Sequence, residues 1–495
     1  MNTIKSDVKS VPADYSLLVA TNFLICLFSI VITSMLTRMM DAASYGVYSV
    51  FIFATQTLLL FSSTWIISSI VRFGREEFDK TAKVSRIFWA YALVVCVMFG
   101  LSSLVVVALR EGVSKYIGIT KQEIWILLTY VFLLLISTSL LSIYQATRKL
   151  KIYGILQVLE KFVLLLILSF LYVYYHRLSV QLLLYSFLIS SGIFVSINII
   201  ITKKDILIPV KFRKNDLKEL LIFSGPLFIS VGTAHFGMWI SPILINNFLT
   251  KDQLGTYYLA HQINFLVGST ILQLSIALTP ILVLLYSRKK IDLIDLYVRK
   301  LVPLGVFVWA IIVALTMVVS KLLFLHLFGK NFVFALNPLQ VLLLGTGFAG
   351  IHVLFAGVLT AYKFTWASTK ASLIYIFTNL LGNIILIKFF GILGAAIATC
   401  IASIAYSISI MLETHKVTKF KFSLIVFNVI PVFFSFLIVF CIKGVIATIV
   451  ISFIMFIGLV IVIKRFFLDK DLVTVLSKLE FPGWTIDFIR RRLAN

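Results

Sequence analysis

The sequence predicts an all-α integral membrane protein of about fourteen transmembrane helices, built as two parallel six-helix lobes plus an extra C-terminal helix pair. Three observations carry this. Apolar residues fill 61% of the 495 positions and charged residues only 13%, where a soluble domain carries roughly 25% charge. The apolar residues gather into runs of about 20 or more, the length that a bilayer core demands of a helix. Two short motifs recur about one lobe apart. Lipid offers the backbone no hydrogen bonds, so each run has to close its own as a helix. Outer-membrane strands alternate in polarity and are roughly half as long, which excludes them. The mean hydropathy of +1.07 agrees.

Residues 1–16 form a polar tail. The first apolar run, 17–37, is too long for a cleaved leader and is followed by no small-residue cleavage site, so it stays as helix one. Runs at 47–70, 87–109, 124–144, 153–175 and 181–202 complete an N-terminal lobe over 17–202. A basic loop, 203–219, leads to a second lobe over 220–414, with runs at 220–248, 255–286, 301–323, 336–361, 368–389 and 394–412. The extra pair, 424–442 and 445–463, occupies 415–463. In the final stretch, 464–495, Trp484, Phe488, Ile489 and Leu493 fall at helical spacing beside Arg490, Arg491 and Arg492. That pattern describes an amphipathic cytoplasmic helix lying on anionic lipid.

The division into lobes comes from the repeat. Ser44-Tyr45-Gly46-Val47-Tyr48 after helix one matches Gln253-Leu254-Gly255-Thr256-Tyr257 after helix seven, 209 residues on. Gln145-Ala146-Thr147-Arg148 matches Thr360-Ala361-Tyr362-Lys363 at an offset of 215. Six helices per copy is an even number, so both copies enter the membrane in the same direction.

A formal charge of +24 raises the question of nucleic acid, but its placement answers it. Alternate loops counted from the N-terminus hold about 33 Lys and Arg, against about 10 in the other set, as the positive-inside rule requires. Both termini are therefore read as cytoplasmic, and no nucleic-acid partner is expected. The loops on the opposite face are too short for a catalytic domain. Cys26, Cys96, Cys400 and Cys441 all lie in apolar runs without metal or redox spacing and read as packing or lipid-facing residues.

Gly345-Thr346-Gly347-Phe348-Ala349-Gly350 spells a dinucleotide fingerprint, yet it lies within a membrane run and reads as close helix packing. Walker A and HExxH patterns are missing, so no cofactor, no metal and no catalytic residue is expected. Ionisable residues inside a bilayer are costly and are functional candidates by default. Glu160 and Lys161 lie roughly 12 Å into helix five at about 1.5 Å per residue, and adjacent helical positions point about 100° apart. Lys161 can also snorkel to the cytoplasmic surface. His235 and His261 fall within helices seven and eight. Asn22, Gln56, His352, Asn379 and Asn383 read as interhelical hydrogen bonding. Arg38 and Arg72 end helices one and two, where they can serve as interfacial anchors or, through the bidentate guanidinium, hold phosphate.

Five stretches then carry a resemblance: the turn Arg38 to Tyr48 (RMMDAASYGVY), Ile70 to Glu76 (IVRFGRE), Phe223-Ser224-Gly225-Pro226-Leu227, Leu254 to Tyr258 (LGTYY), and Asn379 to Thr399 (NLLGNIILIKFFGILGAAIAT). In their order and placement the chain resembles the bacterial polysaccharide flippases of the multidrug/oligosaccharidyl-lipid/polysaccharide exporter superfamily, the group that includes O-antigen transporters. The resemblance implies transport of an undecaprenyl-diphosphate-linked oligosaccharide to the outer leaflet by alternating access, without enzymatic chemistry. It also implies partnership with membrane lipids and with polysaccharide polymerase and chain-length machinery. Arg38, Arg72, Lys161, His235 and His261 are then the expected anion-attracting set and Glu160 the possible coupling acid. Many relatives carry an Asp-Arg pair late in helix seven, where this chain has Ser241-Pro242-Ile243. A cation-coupled drug exporter of the same superfamily and a flippase of the peptidoglycan lipid precursor are the alternatives.

Overall fold

A computed structural model describes residues 2–175, 177–206 and 213–442. Among the described residues every regular element is helical. The chain opens with α1 (Asn2–Met39) and α2 (Ala42–Leu59), which passes through a π turn (Leu60–Thr64) and a short break into α3 (Ile67–Thr81). Then come α4 (Ser85–Ala108), the short α5 (Arg110–Ile117), α6 (Glu123–Ala146), α7 (Leu150–Tyr175) and α8 (Val180–Ile206). The second half holds α9 (Lys214–Phe248), α10 (Lys251–Ser287), α11 (Ile291–Leu296), a π turn (Tyr297–Leu301) and α12 (Val302–Phe328). A 3₁₀ turn (Lys330–Ala335) follows, then α13 (Leu336–Gly347), α14 (Ala349–Ala361), α15 (Thr365–His415), α16 (Phe422–Phe427) and α17 (Ile430–Cys441).

Ten of the described stretches are long and apolar enough to cross a membrane. The count differs from the fourteen runs for identifiable reasons. The runs 368–389 and 394–412 are two helices that meet at Gly391, whose backbone at φ 57°, ψ −135° is not helical, and they are taken together as the single stretch α15. The run 255–286 lies in α10 and is not among the ten. The first helix of the extra pair is a shorter apolar stretch, Ile425–Cys441. The run 445–463 and the amphipathic tail 464–495 lie outside the described residues. Residues 2–16, read from the sequence as a tail, continue α1, because hydropathy marks where lipid begins and not where helical hydrogen bonding does.

The described contacts divide the chain into two compact units: residues up to Pro242 with Thr250–Thr256, and Ile243–Leu249 with the residues from Tyr257 onward. The division falls within α9, whereas the repeat puts the lobe boundary at 203–219. The first part of α9 meets α2, the following π turn and α3 through aromatic pairs: Trp239 with Phe53, Phe228 with Phe61, and Phe223 with Phe73, at centroid separations of 5.3, 5.8 and 5.6 Å. Pro226 and Pro242 both sit inside α9, and each removes a helical hydrogen bond.

In the first unit α1 packs along α7, and α6 is flanked by α3 and α8. Its buried side chains include Leu36, Tyr45, Phe51, Tyr91, Leu127 and Phe194. In the second unit α15 receives α13 and α14, while α12 packs against α13, α14 and α17. The fingerprint-like glycines act here as close-packing positions. A Cβ on Gly345 would meet the Cys400 Cα at 2.9 Å, one on Gly347 the Val432 side chain at 2.8 Å, and one on Gly350 the Trp309 ring at 2.8 Å. The cysteines are all free, with Cys400 buried and Cys96 and Cys441 exposed to the surroundings.

Candidate functional site

Polar groups lie inside apolar helices in both units. In the first unit His235 is half-buried on α9. Its Nε2 and the Thr57 hydroxyl of α2 are 3.0 Å apart, and Thr57 Oγ1 also donates to the carbonyl of Phe53 at 2.8 Å. The imidazole stacks on Phe53 at 6.0 Å and 15°, with Trp239 at 6.4 Å and Phe236 at 5.5 Å. One titratable handle is thus held among aromatic faces. Such a surface sets one hydrogen-bonding group beside flat apolar faces.

Arg72 is exposed near the start of α3. Its guanidinium lies over the Phe223 ring at 4.7 Å and the Phe73 ring at 5.2 Å, and Nε is 3.6 Å from Glu76. With both side chains more than half exposed, the ion pair itself contributes little. The cation–π contacts orient the fork. Arg38 is exposed at the last turn of α1. A complete crossing, α2 to α3, separates it from Arg72, so the two arginines lie at opposite ends of the unit. Glu160 and Lys161 sit half-buried on α7. Glu160 is within electrostatic reach of the buried Tyr130. Among the described residues neither Glu160 nor Lys161 forms a hydrogen bond or ion pair.

In the second unit His261 is half-buried on α10 and stacks on Tyr257 at 6.1 Å and on Tyr258 at 6.4 Å. One turn on, Asn264 accepts a bond from Thr346 at 2.7 Å. The residues read as interhelical hydrogen bonding divide. His352 Nδ1 and Ser407 Oγ are 2.9 Å apart, linking α14 to α15. Asn383 donates to the Asn379 carbonyl and side chain, each at 2.7 Å, and across the Gly391 kink Thr399 donates to Asn379 at 3.3 Å. Gln56, by contrast, is exposed.

Several contributors escaped the sequence. Thr57, Phe53 and Trp239 complete the surroundings of His235, but a hydroxyl and two aromatics in apolar helices carry no signal of their own. Lys251 donates to the carbonyls of Tyr116 and Ile117 at 2.8 and 3.0 Å, closing the C-terminus of α5. Lys321, inside an apolar run, donates to the carbonyls of Val439 and Ile442 at the end of α17; a charge in such a run was the available clue. Among the described residues no group of three or more His, Cys, Asp or Glu side chains could hold a metal.

The family model described as polysaccharide biosynthesis protein matches residues 12–285. A capsular polysaccharide biosynthesis protein of Staphylococcus aureus, CapF, is 28% identical over 276 residues, covering 54% of this chain and 68% of that protein. A probable low-salt glycan biosynthesis flippase of Haloferax volcanii, Agl15, is 23% identical over 203 residues, covering 41% of this chain and 42% of that one. Among solved structures, the lipid II flippase MurJ in an inward closed conformation superposes with a TM-score of 0.70 at 14% identity, over 91% of this chain and 99% of its own. An inward-facing multidrug resistance transporter of the MATE family gives 0.63 at 12% identity, over 81% of this chain and 97% of its own. At these identities the structural likeness establishes the fold alone. The family match, which spans more than half of the sequence, goes further: the chain belongs to the polysaccharide biosynthesis protein family.

Proposed function

We propose that this chain is a non-enzymatic flippase that carries an undecaprenyl-diphosphate-linked oligosaccharide, an O-antigen or related repeat unit, from the cytoplasmic to the outer leaflet of a bacterial inner membrane. The observation that carries the reading is the family match over residues 12–285, joined to a relative named as a glycan biosynthesis flippase. Transport proceeds by alternating access, the general mode of membrane proteins built from parallel repeats. Both termini face the cytoplasm, on the side that holds most of the basic loops. Arg38, Arg72, Lys161, His235 and His261 serve as the groups that attract diphosphate and sugar, and Glu160 as a coupling acid. Polysaccharide polymerase and chain-length proteins take the product onward.

The fold shared with the lipid II flippase favours one second reading, transport of the peptidoglycan lipid precursor. The multidrug reading is weaker, because the family match points to polysaccharide biosynthesis. Deletion of the gene followed by analysis of surface polysaccharide and of lipid-linked intermediates tests both. Loss of surface polymer with accumulation of lipid-linked repeat units supports the proposal. Normal surface polymer, with growth arrest and accumulated peptidoglycan precursor, transfers it to the second reading. Resistance to drugs on overexpression, with polymer unaffected by deletion, overturns it.

A further inference from the structure

A cavity in the second unit is unconnected with any residue assigned above. The helix that becomes α12 first passes through the π turn Tyr297–Leu301. Such a turn inserts an extra residue into the helix and re-aims its side chains, and it recurs at functional sites. Arg299 lies at its centre, exposed, and donates Nε–H to the carbonyl of Lys419 at 3.3 Å. Lys419 belongs to the connector between α15 and α16. Around this contact opens a cavity of about 410 Å³ lined by Arg299, Lys419 and Lys421 together with Val298, Pro303 and Ile425. Its volume falls within the roughly 300–1,000 Å³ of small-molecule sites.

The walls are fixed. The buried Tyr297 hydroxyl donates to the Leu354 carbonyl at 3.0 Å, and Asn428 Nδ2 donates to the Pro303 carbonyl at 2.9 Å. Phe420 stacks on Phe355 at 4.9 Å and meets the His415 ring edge-on at 5.1 Å. The three cations are uncompensated: among the described residues no carboxylate pairs with Arg299, Lys419 or Lys421. Glu413, at the end of α15, is already engaged by Lys370 at 3.0 Å and Lys416 at 2.6 Å. The cavity also stands where two apolar stretches begin, α12 and the stretch from Ile425. Val426 and Phe427 beside it are 45% and 65% exposed, as lipid-facing side chains are.

Three cations lining one cavity with apolar side chains, beside an exposed apolar flank, suit an amphipathic anion. We propose that this cavity binds the phosphodiester headgroup of an anionic glycerophospholipid from the leaflet on the side of the basic loops. The Arg299 fork and the two ammonium groups take the phosphate. Val298, Pro303 and Ile425 cover the glycerol end of the acyl chains. Basic pockets between membrane helices recognise headgroups in this way. The proposal rests on the membrane reading and is independent of the substrate that is transported.

Native mass spectrometry of the purified full chain, with phosphatidylglycerol, phosphatidylcholine, inorganic phosphate and undecaprenyl diphosphate as probes, tests it. The wild type should retain phosphatidylglycerol in preference to phosphatidylcholine. Combined Arg299→Gln, Lys419→Gln and Lys421→Gln should lower its affinity at least about tenfold. Combined Arg148→Gln, Lys149→Gln and Lys151→Gln, which remove the same charge from another basic loop, should leave it unchanged. The charge-conserving pair Arg299→Lys and Lys419→Arg should bind and thereby control for folding. Equal loss in both triple variants would overturn the site in favour of diffuse attraction. Displacement of the lipid by equimolar inorganic phosphate or undecaprenyl diphosphate would reassign it to a free anion or to the carrier. None of these outcomes bears on whether the deletion strain exports polymer.

Discussion

Gly46 and Gly255 meet where α2 and α10 cross, each with the backbone of the other helix where its side chain would be. A Cβ on Gly46 would lie 2.0 Å from the Lys251 carbonyl oxygen, and one on Gly255 would lie 2.0 Å from the Ala42 carbonyl oxygen. The two glycines hold matching positions in the short motifs Ser44 to Tyr48 and Gln253 to Tyr257, 209 residues apart. Small residues let membrane helices approach to backbone contact, where packing replaces the hydrophobic drive that lipid does not supply.

Gly46→Ala and Gly255→Ala should each therefore force the helices apart. The obstructing atoms are backbone, which cannot swing aside, so the cost should be at least the roughly 1–3 kcal/mol of an overpacked core. The double substitution should cost less than the sum, since both relieve into one separation. Thermal unfolding of the purified protein, followed by tryptophan fluorescence, measures this. Wild-type midpoints for both single variants would show that the crossing is looser than described.

Lys251 is bound into the same crossing, its carbonyl against Gly46 and its ammonium on the last carbonyls of α5. Burial lowers the ammonium from the usual lysine value to about 8, although the negative end of the α5 dipole opposes the shift. A lowered value means that the reactive neutral amine appears at lower pH. Competitive trace acylation over pH 7–11 should show Lys251 titrating near 8, below the roughly 10.4 of a free lysine side chain. Lys251→Met, which strips two donated bonds from a partly exposed site, should cost about 1 kcal/mol.

Most of the spanning elements were legible because lipid imposes a length and a composition that sequence displays directly. The runs 87–109, 124–144 and 153–175 reappear as α4, α6 and α7 with ends shifted by a few residues. The π turns at Leu60–Thr64 and Tyr297–Leu301 were not legible, since an added residue in a helix leaves the apolar pattern unbroken. Nor was the cavity at Arg299 and Lys419, whose members are 120 residues apart and come together only when α12 packs beside α16 and α17. His235 announced itself as a titratable group in an apolar run. Its partner Thr57 lies 178 residues away and was visible only in the folded chain.

Gly391 separates the two helices contained in α15, at φ 57° and ψ −135°, a backbone conformation that side chains with a Cβ avoid. Space is not the constraint, because nothing lies within 4 Å of where its Cβ would be. Gly391→Ala should thus act through backbone strain alone and cost about 1–3 kcal/mol. Gly394→Ala differs in kind, since its Cβ would fall 2.1 Å from the Leu386 carbonyl oxygen and would prise the hairpin open. Steady-state levels of the two variants in membranes should fall in the order wild type, Gly391→Ala, Gly394→Ala. Undiminished Gly391→Ala would mean that the turn relaxes into an ordinary conformation.

His235 allows packing and ligand binding to be separated by a single pair of substitutions. If its role is to complete the aromatic surface beside Phe53 and Trp239, His235→Phe preserves the ring and should leave polymer export intact. If the imidazole is a handle for substrate, His235→Phe should abolish most export at wild-type protein level, because the stack survives while the polar group is lost. The second outcome is the expected one under the proposed function. Thr57→Val then sharpens it: the hydroxyl holds the imidazole at 3.0 Å, and its loss should cost about 0.5–1.5 kcal/mol of positioning. Export by Thr57→Val should accordingly fall between wild type and His235→Phe. Export by His235→Phe equal to wild type, measured as surface polymer per unit of membrane protein, would remove His235 from the binding set.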